Sequence, residues 1–501
     1  MCETATSGCM NMAKRPYAPD AVDATIAEER SSPVTVAGWS EMSTVETPAD
    51  EHVAPPSQIR TIVASSVVGT TVEWFDFFAY STAAALILNA LFFPDFDPLV
   101  GTILAFGGIA VGYFGRPLGS IVFGHFGDRI GRKKVLVVSL VTMGAATFVI
   151  GLLPTYETIG VAAPVILMLL RFIQGFALGG EWGGAVLLVV EHAKPGRRAF
   201  LGSFPQVGLA LGLTLSTLIF LPLVALPGDA FQAWGWRIPF LVSAVLVLIG
   251  LFIRLRIAET PEFEAMRRAG QEARVPLWDT LKTHTAQVLL AALSFAVIGA
   301  VFYMLFTFSL TYGTEFIGHG RSDMLVIATV CSVLALAGLP LAGWLADRFG
   351  VWRVFAIGTV LSIVVAFPAF WLIDTGSLVA AYVAYIATTV GFCATYGTLG
   401  VLYAQAFEVR IRYTGMSLAL GIGTIVGSAF VPVIYLELLA STGGSWSIAV
   451  YIVVAGLITL AASTLLHRLQ RRSERSAGIE TTTAESTTAE SAAAEIEENA
   501  R

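Results

Sequence analysis

The sequence predicts an all-α membrane protein, with twelve transmembrane helices arranged as two pseudo-symmetric six-helix bundles. Three observations carry this prediction. The 501-residue chain is 55% hydrophobic and only 13% charged, with a mean hydropathy of +0.74. Soluble domains carry about 25% charged residues, so a globule this size lacks the polar surface to face water, and lipid must be the main solvent. Twelve apolar segments are long enough to cross a bilayer, and one loop motif recurs at matching places in the two halves.

Residues 1–58 are rich in Ala, Ser, Thr, Glu and Pro and hold no apolar core segment, unlike a secretory signal. They read as a disordered cytoplasmic tail, within which Met42 is an alternative start. From Ile59 the character changes. Crossing the bilayer takes about 20 apolar residues at 1.5 Å each. Such segments lie at 61–91, 99–123, 134–153, 162–190, 200–225, 237–257, 287–312, 324–345, 353–373, 378–405, 413–437 and 446–466. Backbone groups in lipid must be paired within the segment, which makes each one a helix. The first six form an N-terminal bundle over 59–257 and the last six a C-terminal bundle over 287–466. A partly amphipathic cytoplasmic loop over 258–286 divides them. Residues 467–501 read as a second disordered tail, with a Thr-Thr-Ala-Glu-Ser repeat and no heptads for a coiled coil.

Loop charges orient the helices. The loops after segments 2, 4, 6, 8 and 10 carry Arg129, Arg132, Lys133 and Lys134, then Lys194, Arg197 and Arg198, then Arg256, Arg267, Arg268, Arg274 and Lys282, then Arg348, then Arg410 and Arg412. The opposite loops offer Arg237 and Arg321. By the positive-inside rule both termini are cytoplasmic. The net charge of −6 says little about partners. No basic stripe with interleaved aromatics supports nucleic-acid binding. Cys2, Cys9, Cys331 and Cys393 have neither metal-ligand nor redox spacing. No nucleotide-binding loop, metal cluster or nucleophile triad appears, so neither an enzyme nor a cofactor is expected; His125, His192 and His284 lie on the cytoplasmic side.

The duplicated loop reads Gly124-His125-Phe126-Gly127-Asp128-Arg129-Ile130-Gly131 after segment 2 and Gly343-Trp344-Leu345-Ala346-Asp347-Arg348-Phe349-Gly350 after segment 8. A repeat at this spacing marks a duplicated six-helix unit, which suits alternating access between two bundles. The glycines permit a tight turn and close helix approach. Asp128 with Arg129, and Asp347 with Arg348, are expected to form ion pairs that opening must break. Together with Gly124 they are assigned to gating.

These two loops resemble the signature loops of the major facilitator superfamily, and Arg171-Phe172-Ile173-Gln174-Gly175 resembles its helix 4 motif. Three further stretches resemble the metabolite:proton symporter family within it. They are Gly69-Thr70-Thr71-Val72-Glu73-Trp74-Phe75-Asp76-Phe77-Phe78, Arg116-Pro117-Leu118-Gly119, and Gly179-Gly180-Glu181-Trp182-Gly183-Gly184. The resemblance spans about 59–466. It implies two pseudo-symmetric bundles around a central cavity and proton-driven uptake. The expected partners are a small-molecule substrate, a proton and the lipid of the cell membrane, and a monomer is expected.

A charge at the bilayer centre costs at least about 2.5–3.5 kcal/mol, so it is seldom idle. Glu73 and Asp76 are three residues apart on one face of segment 1, and Glu73 lies about 18 Å into the helix. Arg116, Arg171 and Glu181 complete a set of five charges, all in the first half. Structurally these can be ion pairs between helices 1, 2 and 4. Functionally, desolvation favours a neutral carboxyl and a nearby guanidinium favours an ionised one, so a movable pair can switch protonation. All five are candidates for proton coupling. Tyr80, Arg116, Gln174, Gln206, Tyr303 and Tyr396 are candidate substrate contacts. Arg116 with Pro117 also fits a helix distortion facing the cavity.

The solute is less sharply marked. Phe96-Asp97-Pro98-Leu99-Val100-Gly101-Thr102, Glu191-His192-Ala193 and Gly202-Ser203-Phe204-Pro205-Gln206 resemble the shikimate-permease branch. That favours a small organic acid; osmolyte uptake is the alternative, and a proton-antiport exporter or a non-transporting receptor is the alternative of another class.

Overall fold

A computed structural model describes residues 56–96, 98–224, 226–227, 229–256, 264, 268 and 282–499. Most of the expected N-terminal tail, its Met42 start and most of the central loop lie outside the described residues. The helices are α1 (Pro56–Ala83), α2 (Pro98–Ile130), α3 (Arg132–Leu152), α4 (Ala162–His192), α5 (Arg198–Val224), α6 (Gly235–Leu255), α7 (Thr285–Ile317), α8 (Arg321–Phe349), α9 (Val351–Asp374), α10 (Leu378–Ala406), α11 (Arg412–Thr442) and α12 (Trp446–Asn499). Among the described residues, eleven of these are long and apolar enough to cross a membrane, and the 33-residue α2 packs along α4 as their companion.

The duplication read from two loops extends to the whole packing scheme. In the first half α2 packs on α4, α3 on α4 and α6, and α1 on α5 and α6; in the second α8 packs on α10, α9 on α10 and α12, and α7 on α11 and α12. Every pair recurs six helices later. Between the halves α2 meets α11 and α8 meets α5, again related by the same exchange. Of those eleven apolar helices, α1 and α7 are the most enclosed, which explains how α1 carries two carboxylates without exposing them to lipid.

Small residues set the helix spacing, because lipid gives no hydrophobic drive for helix association and close van der Waals contact must replace it. A Cβ added at Gly119 would collide with the carbonyl of Phe176, and one at Gly175 with the carbonyl of Gly112. The two backbones therefore touch along α2 and α4, and the Ser120 hydroxyl donates across the seam to the Gly179 carbonyl at 2.8 Å. Gly119→Val is expected to force α2 from α4 at a cost of about 1–3 kcal/mol, read as a lowered melting midpoint and reduced folded yield in detergent. Pro117 lies inside α2 without interrupting it, so the distortion expected at Arg116-Pro117 leaves the helix continuous.

Two expectations are revised. The duplicated motifs are not loops: α2 runs through Ile130 and α8 through Phe349, and the turns fall at Gly131 and Gly350, whose φ values of 107° and 99° suit a residue without Cβ. Beyond residue 466 the chain departs from the expected disordered tail and continues as helix to Asn499. Ala and Glu are good helix formers, and extending a nucleated helix avoids the cost of starting one.

Candidate functional site

The intramembrane charges gather inside the first bundle. Arg116 Nη2 of α2 stands 3.6 Å from Glu73 Oε1 of α1, both largely buried. Glu73 Oε2 has no hydrogen-bond partner among the described residues. The Arg116 guanidinium also lies 5.0 Å from the centre of the Tyr113 ring, one turn earlier on α2. Tyr113 in turn shares a hydrogen bond of 3.1 Å with the Tyr303 hydroxyl of α7, joining the two halves.

Asp76 has different company. Thr147 of α3 donates to its Oδ2 at 2.6 Å, and Ser243 of α6 donates to its Oδ1 at 2.7 Å. Arg171 does not bond to it directly. Its Nη1 donates to Gln174 Oε1 at 2.9 Å, its guanidinium lies 3.8 Å over the Tyr80 ring, and the Tyr80 hydroxyl donates to the Ala105 carbonyl. Glu181 pairs with Arg254 of α6, which also donates to the Leu136 carbonyl at 2.7 Å. The expected network of helices 1, 2 and 4 thus takes in α3 and α6 as well.

Two cavities adjoin these groups. One, of about 360 Å³, lies within the first bundle and is walled by Asp76, Arg171 and Gln174 among others. The second, of about 460 Å³, lies between the bundles, with Trp182 and Leu209 on one side and Phe302, Phe392 and Tyr396 on the other. Glu73, Tyr113 and Arg116 belong to both walls, so the ion pair stands in the partition. Of the expected substrate contacts, Arg116 and Tyr396 face the second cavity and Gln174 the first. Tyr80, Gln206 and Tyr303 sit behind the walls. Gln206 receives the Trp182 indole N–H at 2.9 Å and reaches the Tyr396 carbonyl at 3.3 Å, bracing α4 and α5 against α10. Trp74, Phe77 and Phe78 of α1 pack around Phe302 of α7 at ring separations of 5.3–6.4 Å.

Further contacts between the halves lie at the end that holds the duplicated motifs. Asp347 spends its two oxygens on the backbone N–H groups of Ala199 and Phe200, at 2.9 and 2.8 Å, where α5 begins. This replaces the expected Asp347–Arg348 ion pair, since neighbours in sequence point to different faces of a helix. Arg348 lies near the Trp344 and Phe349 rings instead, and Arg129 lies 3.4 Å from His125. The Asp128 side chain lies outside the described residues. Gly124 faces the Thr414 backbone so closely that a Cβ would meet it at 2.9 Å. Tyr413 of α11 donates to the Gly180 carbonyl at 2.5 Å, and Arg412 lies 3.3 Å from Glu191.

Sequence reasoning missed Tyr113, Thr147, Ser243 and Arg254. Tyr113 is signalled by its place three residues before Arg116 on one helix face. The two hydroxyls are ordinary within apolar segments. Arg254, two residues from the loop charge Arg256, is indistinguishable from a positive-inside residue.

Comparison with known proteins adds three findings. Residues 67–420 match the family model described as Major Facilitator Superfamily. The chain is 38% identical over 432 residues to the inner membrane metabolite transport protein YhjE of Escherichia coli, covering 85% of this chain and 98% of that one. It is also 38% identical over 437 residues to the Escherichia coli shikimate transporter, covering 85% and 99%. Among solved structures, the proton:xylose symporter XylE superposes with a TM-score of 0.69 at 17% identity, covering 82% of this chain and 96% of that one.

Proposed function

The chain belongs to the major facilitator superfamily, and from that premise we propose that it is a proton-coupled symporter importing a small organic acid, a shikimate-like or other carboxylate, across the cytoplasmic membrane. One observation carries the reading. Arg116 stands between the two cavities with Glu73 as its counter-ion. A substrate carboxylate entering between the bundles competes for the same guanidinium. Once displaced, Glu73 is a buried carboxylate without a cation, and a proton neutralises it at less cost than leaving it charged. Substrate and proton then load together. The 38% identity to the shikimate transporter supports the substrate class.

The rest of the reading follows the family plan. The basic bias of the loops supports cytoplasmic termini, and a monomer embedded in lipid is sufficient for the cycle. Arg171, Glu181, Tyr80, Gln206 and Tyr303 are read as supports of the coupling pair and cavity walls. Gly124, Asp128, Arg129, Asp347 and Arg348 are read as the cytoplasmic gate. Asp347→Ala removes two charge-assisted hydrogen bonds, each worth about 1.5–3 kcal/mol. It is expected to shift the resting population tenfold or more toward separation of that end. Spin labels at positions 194 and 410 report this as a longer distance.

The direct test is uptake of labelled shikimate, α-ketoglutarate, benzoate and betaine into energised vesicles, with and without an uncoupler. Uncoupler-sensitive accumulation of an acid is the expected result. Accumulation of betaine alone makes the protein an osmolyte transporter, outward movement makes it an exporter, and binding without accumulation makes it a receptor.

A further inference from the structure

The hydrogen bonds around Asp76 run in one direction. Arg171 has donors only, so Gln174 must turn Oε1 toward it and Nε2 away. Nε2 then donates to Thr147 Oγ1 at 2.6 Å. The hydroxyl has one hydrogen left to place, and two acceptors in reach: Asp76 Oδ2 at 2.6 Å and the Met143 carbonyl at 3.0 Å. With Asp76 ionised, that hydrogen points at Oδ2. When a hydronium ion gives its proton to Oδ2 and leaves as water, the new O–H needs an acceptor. Thr147 supplies it by rotating its hydrogen to Met143, which frees a lone pair. A hydroxyl accepts two bonds and donates one, so the Asp76 carboxyl and the Thr147 hydroxyl are both satisfied in either charge state. Turning that one hydrogen is sufficient, because both acceptors already lie within reach.

All four side chains are almost fully buried: Asp76, Thr147, Gln174 and Ser243 expose 3% or less. Asp76 nevertheless lines the cavity of the first bundle, as Glu73 does one turn earlier. We infer that Thr147 is the positioning residue that lets Asp76, already a candidate for proton coupling, change charge in place. This inference rests on the proton-coupled reading of the same site. The other charged or titratable groups on the same cavity wall are Glu73 on α1, Arg116 and Tyr113 on α2, and Arg171 on α4, with Glu181 held by Arg254; α3 and α6 contribute the Thr147 and Ser243 hydroxyls.

The test needs no substrate. Infrared difference spectra of the full-length protein in lipid, recorded across a pH step, show the C=O stretch of a protonated buried carboxyl. The band is expected to vanish in Asp76→Asn and to persist in Glu73→Gln. It is expected to shift in frequency in Thr147→Val, which keeps shape but loses the hydroxyl, and to return to the native position in Thr147→Ser. A band that survives in Asp76→Asn overturns the inference, as does a band unmoved in Thr147→Val or moved as far in Thr147→Ser. Failure of the symport reading shows separately, as native vesicles in which a pH gradient drives no uptake.

Discussion

Glu73→Gln is expected to abolish accumulation driven by a pH gradient, leaving labelled substrate at its equilibrium level in vesicles that hold normal amounts of protein. The change keeps the volume of the side chain and one acceptor oxygen and removes its charge. At 3.6 Å and an effective dielectric of about 20, the attraction between Arg116 and Glu73 is about 4–5 kcal/mol. A neutral solute cannot offset that loss, whereas a carboxylate that replaces Glu73 recovers most of it. The glutamine variant should therefore still exchange labelled for unlabelled acid, because Arg116 is left open to the substrate. Arg116→Gln should lose exchange as well as accumulation. Native accumulation by Glu73→Gln would remove Glu73 from the coupling step.

The second large effect is on stability. Glu181 and Arg254 form an ion pair with almost no exposure, and Glu181 makes it from α4 to α6. Removing one member leaves the other charged and buried, which costs about 3–5 kcal/mol. Glu181→Leu and Arg254→Met should each give sharply reduced folded protein in detergent and a lower inactivation temperature. The double substitution should recover most of the loss, since a buried pair replaced by well-packed apolar groups is often neutral or better. A double variant as unstable as either single one would mean that Glu181 and Arg254 act on something other than each other. Recovery of stability without recovery of uptake would assign the pair to coupling in addition to packing.

The carboxylates of α1 were legible because a charge inside an apolar run stands out whatever surrounds it. Arg116, Arg171 and Glu181 were legible for the same reason. Their partners were not. Thr147 and Ser243 are small hydroxyls in segments otherwise fit for lipid, and only their convergence on Asp76 gives them meaning. Arg254 hid beside the loop charges. Among the aromatic candidates, Tyr396 reaches the cavity between the bundles while Tyr80 is shut behind Arg171. The duplicated motifs show the same division. The Gly-Asp-Arg repeat was visible as spacing, but Asp347 binds the backbone N–H groups of Ala199 and Phe200 in the other half of the chain, and backbone amides carry no sequence signal.

The sequence by itself determined the solvent of this protein, the number of its helices, their grouping into two related sets of six and the placement of its charges at membrane depth. Each of these follows from local chemistry: a run of apolar residues in lipid has to be a helix, and a duplicated spacing survives as spacing. Tertiary structure alone decided which charge meets which, that Asp76 is held by hydroxyls while Glu73 is held by a guanidinium, and that one ion pair stands between two cavities. Those outcomes depend on distances of a few ångströms between helices far apart in the chain, set by glycine seams that let backbones touch, and no single segment contains them.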